Sequence, residues 1–170
     1  MSDTPVPVLP VAYVINDRTE PTDDYWGGVR SIIRIDSDRF PEATVQGLAE
    51  FSHLLVAFHF HLIDPSEVHL GARSPRNNPE WPATGTFVHR NMRPNSLGYA
   101  FPRLLSIDGM DLHVLDLDAI NGTPVIDIGP WFPEFGPRGE IRQPLWPTEM
   151  LKDYWKDYWN DPASEVNLGD

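Results

Sequence analysis

Short runs of alternating or β-branched residues, separated by prolines and glycines, make up most of the chain. The 18 prolines and 12 glycines interrupt every long periodic segment, and most of the pieces between them favour strands. The pattern predicts strands at 11–15, 29–35, 53–62, 85–89, 99–107, 110–117 and 125–128. Asp108-Gly109 is a type I′ hairpin signal between two of these runs. We therefore expect a mainly β fold, a small closed or partly open β-barrel with one short helix and a C-terminal helix.

The run 53–62 has the clearest strand pattern. Its even positions are all apolar, while its odd positions include three histidines: His53, His59 and His61. Because alternate side chains of a strand share a face, one face belongs to the core and the other is expected to line a cavity.

Two helices are predicted. Pro41 suits the first turn of a helix over 41–51, and Thr148 is a candidate N-cap for a helix over 148–159. The second helix has an apolar stripe of Leu151, Tyr154, Trp155, Tyr158 and Trp159. We expect the stripe to pack on the core of the same domain; a partner subunit or a substrate lid are the alternatives. The domain boundaries follow as a tail at 1–10, a barrel at 11–135 and a C-terminal extension at 136–170.

Composition narrows the functional classes. The 170 residues suffice for one domain with tails. With no cysteine, disulfides and thiolate chemistry are excluded. Neither a signal peptide nor a membrane span is visible, so we expect a soluble cytoplasmic protein. A net charge of −12 opposes general binding of nucleic acid, and we expect no DNA or membrane partner.

A basic island interrupts this acidity. The window 71–107 contains five arginines and one acid, and its turn-rich loop 85–98 contains Arg90, Arg93 and Asn95. Guanidinium groups match the geometry of carboxylates and phosphates, so the loop is a candidate anion-binding site. The alternative is a surface turn whose arginines pair with nearby acids.

Other candidate chemistry is sparse. His59 and His61 have the spacing of metal ligands on a strand, but no third ligand accompanies them, and we expect no metal. Asp127, inside an apolar run, is either a buried hydrogen-bond anchor or an active-site carboxylate. Phosphate-binding loops, nucleophile elbows and dinucleotide fingerprints are absent from the sequence.

Three ordered motifs resemble the TrmO (YaeB-like, UPF0066) family. The family has a Phe-Ser-His strand, a loop ending in Arg-Pro-Asn-x-hydrophobic-Gly, and an Asp-Gly-Thr-Pro segment leading to Asp-Ile-Lys-Pro-Tyr. In this chain they read Phe51-Ser52-His53, Phe87-Val88-His89-Arg90 followed by Arg93-Pro94-Asn95-Ser96-Leu97-Gly98, and Asn121-Gly122-Thr123-Pro124-Val125-Ile126-Asp127-Ile128-Gly129-Pro130-Trp131. The family lysine and tyrosine are replaced by Gly129 and Trp131, and we expect this chain to lack the C-terminal domain of the longer members.

The resemblance implies a β-barrel that binds S-adenosyl-L-methionine, as a homodimer with the ligand near the subunit interface. It also implies methylation of N6 of threonylcarbamoyladenosine beside the tRNA anticodon. By position, the implied cofactor-binding residues are His53, His61, Arg90, Arg93, Asn95, Leu97, Gly98, Tyr99, Asn121, Gly122 and Thr123.

Catalysis would require little acid-base machinery. Methyl transfer from a sulfonium depends mainly on alignment and exclusion of water. An N–H acceptor must also lose a proton, and Asp127 and His61 are the candidate bases within the matched motifs. Three functions remain open: a tRNA methyltransferase, a methyltransferase acting on a small metabolite, and a non-catalytic S-adenosylmethionine-binding module. A small-molecule acceptor would fit the acidity better than tRNA does.

Overall fold

The computed structural model describes residues 4–157 of the chain, and its architecture is mainly β. Nine strands are present: β1 Ala12–Ile15, β2 Arg30–Ile35, β3 Leu54–His59, β4 Ala72–Arg73, β5 Thr84–Gly85, β6 Leu97–Ala100, β7 Arg103–Asp108, β8 Asp111–Leu115 and β9 Pro124–Pro130. One α-helix, α1, spans Leu145–Met150. The short 3₁₀ helices are Glu42–Val45, Leu48–Glu50, Pro65–Glu67, Pro75–Asn77, Thr86–Val88 and Pro133–Phe135.

Seven strands form one antiparallel sheet in the order β6-β3-β9-β1-β2-β8-β7, and β4 pairs with β5 separately. The two outermost strands, β6 and β7, are consecutive in the chain. A single bridge between His53 and Arg103 connects the start of β3 to the start of β7. The sheet therefore curls back towards itself as a partly open barrel, and the fold predicted from the sequence is confirmed.

The barrel interior holds one apolar core. Leu54, Val56 and Phe58 of β3 are fully buried, as their alternation predicted. They pack with residues from the other strands and the 117–119 segment: Ala12, Val14, Ile33, Ile35, Ala100, Leu104, Leu112, Val114, Leu117, Ala119 and Val125. The alternation ends early, because the chain turns after β3 and leaves Leu62 60% exposed.

Several predicted local elements are wrong in detail. The helix expected over 41–51 is two 3₁₀ helices, because Gly47 adopts a left-handed conformation (φ 82°) between them. In place of the strand expected over 85–89, β5 ends at Gly85 and the chain continues as the 3₁₀ helix Thr86–Val88.

The β7–β8 hairpin is shifted by one residue from its predicted position. Asp108 pairs with Asp111, so the loop residues are Gly109 and Met110. Of these two, Gly109 alone has a positive φ (58°). A type I′ turn needs positive φ at both loop positions, so the predicted turn type is wrong as well.

The C-terminal helix is shorter than predicted and begins earlier. It starts at Leu145 and ends at Met150, and turns follow it. Tyr154 of the predicted stripe packs against Trp26, Val29 and Ile120, which agrees with packing on the same domain. The stripe residues Tyr158 and Trp159 lie outside the described residues. Within residues 4–157 no helix has the length and apolar character of a membrane span.

Candidate functional site

A cavity of about 530 Å³, called here the first cavity, lies where several connecting segments meet. Its wall is formed by the segments 21–26, 58–63, 73–77, 88–92, 118–123 and 144–154. A volume in this range suits a small ligand, since ligand sites commonly enclose about 300–1,000 Å³. The lining combines apolar rings with charged groups, the usual composition of a specific small-molecule site.

The centre of the polar wall is a buried carboxylate, Asp118, which is only 5% exposed. Its Oδ2 accepts hydrogen bonds from the Arg90 guanidinium and from the Tyr154 hydroxyl. Arg90 also donates to the Tyr99 carbonyl at 2.8 Å. Arg90, which remains partly exposed, thus pairs with a buried acid in the cavity wall.

The second oxygen of this carboxylate is unusual. Oδ1 of Asp118 is buried and has no hydrogen-bond partner among the described residues. An unsatisfied buried carboxylate oxygen is costly, so such an atom in a cavity wall indicates a site for a hydrogen-bond donor.

Burial and the charge of Asp118 shift the pKa values of its two partners. Burial acts to lower the pKa of Arg90, but the charge of the adjoining Asp118 carboxylate outweighs it and raises that pKa. Burial and the Asp118 charge raise the pKa of the Tyr154 phenol well above its usual value. Tyr154 therefore remains a protonated donor at any physiological pH.

His61 supplies a second kind of group to the wall. It lies just beyond β3 and lines the first cavity. Burial and the neighbouring His59 lower its pKa from the ordinary value of 6.5. The imidazole is therefore mainly neutral at pH 7 and can accept a proton.

An arginine network stabilises another part of the wall. Arg76 and Asn77 both have left-handed backbones (φ 48° and 56°), which is uncommon for successive non-glycine residues. Arg76 binds the Asp24 carboxylate through two nitrogens at 2.8 and 2.7 Å. The buried Arg18 lies 3.7 Å above the Trp26 ring. This wall is thereby held rigidly by charge pairs and stacking.

Of the predicted cofactor residues, three line the first cavity: His61, Arg90 and Thr123. His53 lies outside it, exposed at the start of β3, where its ring bonds Ser52. Asn95 is exposed in the loop before β6. These two remain predictions without a place in the cavity wall.

The β6 residues lie next to the cavity rather than in its lining. Arg93 donates to the Leu97 carbonyl at 2.6 Å, and its guanidinium lies 6.0 Å from the centre of the Tyr99 ring. A Cβ on Gly98 would overlap the ring of Phe58, which does line the cavity. Glycine is needed here because the strand passes directly behind that ring.

The predicted turn at 121–123 is anchored to β1 and to the segment after it. Asn121 and Gly122 donate from their backbone to the carbonyls of Arg18 (2.7 Å) and Val14 (2.8 Å). Gly122 has the positive φ (79°) that the turn requires. Asn121 and Gly122 are exposed, while Thr123 is buried at the cavity.

Asp127 is in a different part of the molecule. It is exposed on β9 and lines a second cavity of about 660 Å³, so the expectation of a buried anchor is wrong. The reason is a bulge: Ala57 pairs with Asp127 and Phe58 with Val125, which leaves Ile126 as an extra residue. The bulge reverses the alternation and turns Asp127 outward.

Sequence reasoning missed Asp118 and the hydroxyl of Tyr154. Asp118 ends the alternating stretch Leu115-Asp116-Leu117-Asp118, which by itself suggests solvent-facing acids. No local signal in the sequence marks Asp118 as the partner of Arg90, which precedes it by 28 positions. No group of three potential metal ligands occurs within the described part of the chain.

Comparison with known proteins gives a consistent family. The model of the tRNA-methyltransferase O N-terminal domain matches residues 21–136. A human protein named tRNA (adenine(37)-N6)-methyltransferase is 33% identical over 119 residues, 68% of this chain and 26% of its own length. A probable S-adenosyl-L-methionine-binding protein of Methanothermobacter thermautotrophicus is 32% identical over 142 residues, 82% of this chain and 99% of its own length.

A solved structure agrees at the level of fold. TrmO from P. aeruginosa superposes with a TM-score of 0.67 at 21% identity, over 85% of this chain and 63% of the other. The chain spans about a quarter of the length of the human relative, 26%, but nearly all of the archaeal one. The first-cavity residues from Pro21 to Thr123 fall inside the matched region. This chain belongs to the tRNA-methyltransferase O N-terminal domain family.

Proposed function

We propose that the chain is an S-adenosylmethionine-dependent methyltransferase of tRNA and that the cofactor binds in the first cavity. The names of its relatives support the activity class. The observation that carries the location is the Asp118 carboxylate, which lines the same cavity as Arg90 and whose buried oxygen Oδ1 has no hydrogen-bond partner within residues 4–157. These groups fit the cofactor chemically, because a nucleoside and an amino acid together supply N–H and O–H donors and a carboxylate.

The finer proposal is that the acceptor is N6 of threonylcarbamoyladenosine beside the anticodon. When bound, S-adenosylmethionine supplies an activated methyl group on a sulfonium. The chain's own task is to hold both reactants in line and to keep water out. The apolar side chains of the wall, including Trp26, Phe58 and Ile120, serve the second purpose.

His61 is the residue we assign to the acceptor's proton. A nitrogen of low basicity must lose its proton as the methyl group arrives, and a neutral imidazole can accept it. The lowered pKa of His61 keeps the ring in that form at pH 7. Asp127 remains the alternative base from the sequence motif, although it lines the other cavity.

A small metabolite is the second candidate acceptor. The net charge of −12 opposes the approach of a polyanion. In addition, side chains from the segment 144–154 form part of the wall of the first cavity, which favours a small ligand. A cofactor-binding module without catalysis is the third candidate.

One labelling experiment separates these candidates. The purified chain is incubated with methyl-labelled cofactor and either unmodified bulk tRNA or a metabolite extract. We expect label in the tRNA, at an adenosine next to the anticodon. Label only in small molecules would support the metabolite methyltransferase, and binding by calorimetry without transfer would support the module. Absence of cofactor binding would overturn the proposal.

We also propose a homodimer with the ligand near the interface. Tyr99, Phe101, Phe132 and Phe135 expose between 40% and 80% of their surface, and such aromatic groups commonly mark protein interfaces. The Tyr99 carbonyl accepts from Arg90, so this surface adjoins the first cavity. Light scattering after size exclusion should give twice the monomer mass, and Phe101→Ser should shift it towards the monomer. A wild-type monomer at micromolar concentration would contradict the dimer.

A further inference from the structure

The segment 144–157, called here the roof segment, completes the first cavity from outside the family domain. The family match ends at residue 136. Six roof residues nevertheless line the cavity: Pro144, Trp146, Pro147, Met150, Leu151 and Tyr154. A cavity built from the matched domain alone would lack this wall.

The roof segment is fixed to the barrel by its backbone. Amide groups of Tyr25, Trp26 and Gly27 donate to the carbonyls of Asp153 (3.2 Å), Tyr154 (2.7 Å) and Lys156 (3.0 Å). A Cβ on Gly27 would overlap the backbone of the roof segment at Trp155, so glycine permits this close approach. The result is a defined position for the Tyr154 side chain.

Tyr154 joins the roof segment to the charged pair of the cavity. Its hydroxyl donates to Oδ2 of Asp118 and accepts from Nε of Arg90 at 3.4 Å. Its ring packs against Trp26, Val29 and Ile120. Tyr154 and Arg90 both donate to Oδ2, and no residue in the described part of the chain donates to Oδ1.

We propose that Tyr154 is a positioning residue of the ligand site: it holds the Asp118 carboxylate so that Oδ1 faces an N–H or O–H donor of the ligand. This inference rests on the proposed function, with S-adenosylmethionine as the ligand. The roof segment thereby becomes a specificity element, since it admits a small ligand and contributes a residue to its recognition.

The test uses the full chain and Tyr154→Phe, which removes one hydroxyl and keeps the ring. Calorimetry should show cofactor affinity weakened on the order of tenfold, because the carboxylate that accepts from the ligand is no longer held in place by the hydroxyl. Near-UV circular dichroism should be nearly unchanged, while the unfolding temperature should fall modestly, because Oδ2 of Asp118 loses one donor in the folded chain. Tyr13→Phe is the matched control, because Tyr13 is 49% exposed on β1 and outside the cavity wall.

A second measurement follows cleavage of the roof segment. Lys152 and Lys156 are exposed in the roof segment, so trypsin cleaves there when the segment opens. Saturating S-adenosylmethionine should slow cleavage at these two sites several-fold in the wild type and less in Tyr154→Phe. Ligand binding slows the cleavage of any folded protein to some degree, so the readout is the difference in protection between the wild type and Tyr154→Phe.

The outcomes are separable. If the wild type binds no cofactor, the proposed function fails. If the wild type binds and Tyr154→Phe binds equally well, with cleavage at Lys152 and Lys156 unaffected by the cofactor, the positioning role fails while the proposed function stands. Should Tyr154→Phe unfold, unchanged cleavage of the cofactor-bound wild type at Lys152 and Lys156 still overturns the positioning role.

Discussion

The two cavities of the barrel differ in what their walls contain. The first cavity has a buried carboxylate, several arginines and a neutral histidine. Arg90 donates to Asp118, and Arg76 donates to Asp24. The second is lined mainly by apolar residues such as Val45, Leu48 and Phe51, with Asp127 and Glu50 as its acids. Volume alone would favour the second cavity. Converging polar groups with perturbed pKa values instead mark the first as the site of chemistry.

The largest expected effect compares the two candidate bases. His61→Asn should lower kcat about 10²–10⁴-fold, the usual range for loss of a general base, and Asp127→Asn should leave kcat within about twofold because no reacting group lies nearby. Single-turnover methyl transfer is the measurement. In the wild type, the rate should fall at acid pH with a midpoint below the ordinary histidine value of 6.5, since burial lowers the pKa of His61. The reverse ranking of the two variants would move the chemistry to the second cavity.

A smaller effect is expected at the arginine loop. Arg90→Ala removes a charged partner of Asp118 and should weaken cofactor binding about 10–100-fold by calorimetry. Arg103→Ala is the charge-matched control, because Arg103 belongs to the same basic island but is exposed on β7 and lines neither cavity. Equal losses in both variants would mean that only the general field of the island matters.

The smallest effect concerns the backbone behind each cavity. Gly98→Ala should destabilise the fold by about 1–3 kcal/mol, because the new methyl group must displace the Phe58 ring. Gly129 lines the second cavity, and a methyl group added to it would meet no other atom within 4 Å. Gly129→Ala should therefore change stability by less than about 1 kcal/mol. Urea denaturation of the two variants measures the difference. A tolerant Gly98 would show that the wall of the first cavity is as free to adjust as that of the second.

The sequence predicted most of the barrel because its information is local. Alternation in β3 buried Leu54, Val56 and Phe58 as expected, and the strands at 12–15 and 30–35 lie within a residue of their predicted bounds. The failures are places where a single backbone event overrides the pattern. Gly47 breaks a helix, and an extra residue at Ile126 reverses the face of Asp127.

The site was only partly predictable, and the reason is distance along the chain. Arg90 was found from its charge context and motif, but its partners Asp118 and Tyr154 follow it by 28 and 64 positions. Neither partner carries a local signal: Asp118 resembles a surface acid, and Tyr154 resembles one member of an apolar stripe. Only the curled sheet and the roof segment bring the three side chains together.

The sequence by itself determined the fold class, the family and the position of the arginine loop, because strand alternation and ordered motifs are written in neighbouring residues. The tertiary structure decided which cavity holds the chemistry. It placed His61, Arg90 and Thr123 in one wall and Asp127 in another. It also left one buried oxygen of Asp118 without a hydrogen-bond partner among the residues that the structure describes. Hydrogen bonding and burial depend on side chains that come into contact only when the sheet has curled into the barrel. No local sequence pattern predicts these contacts.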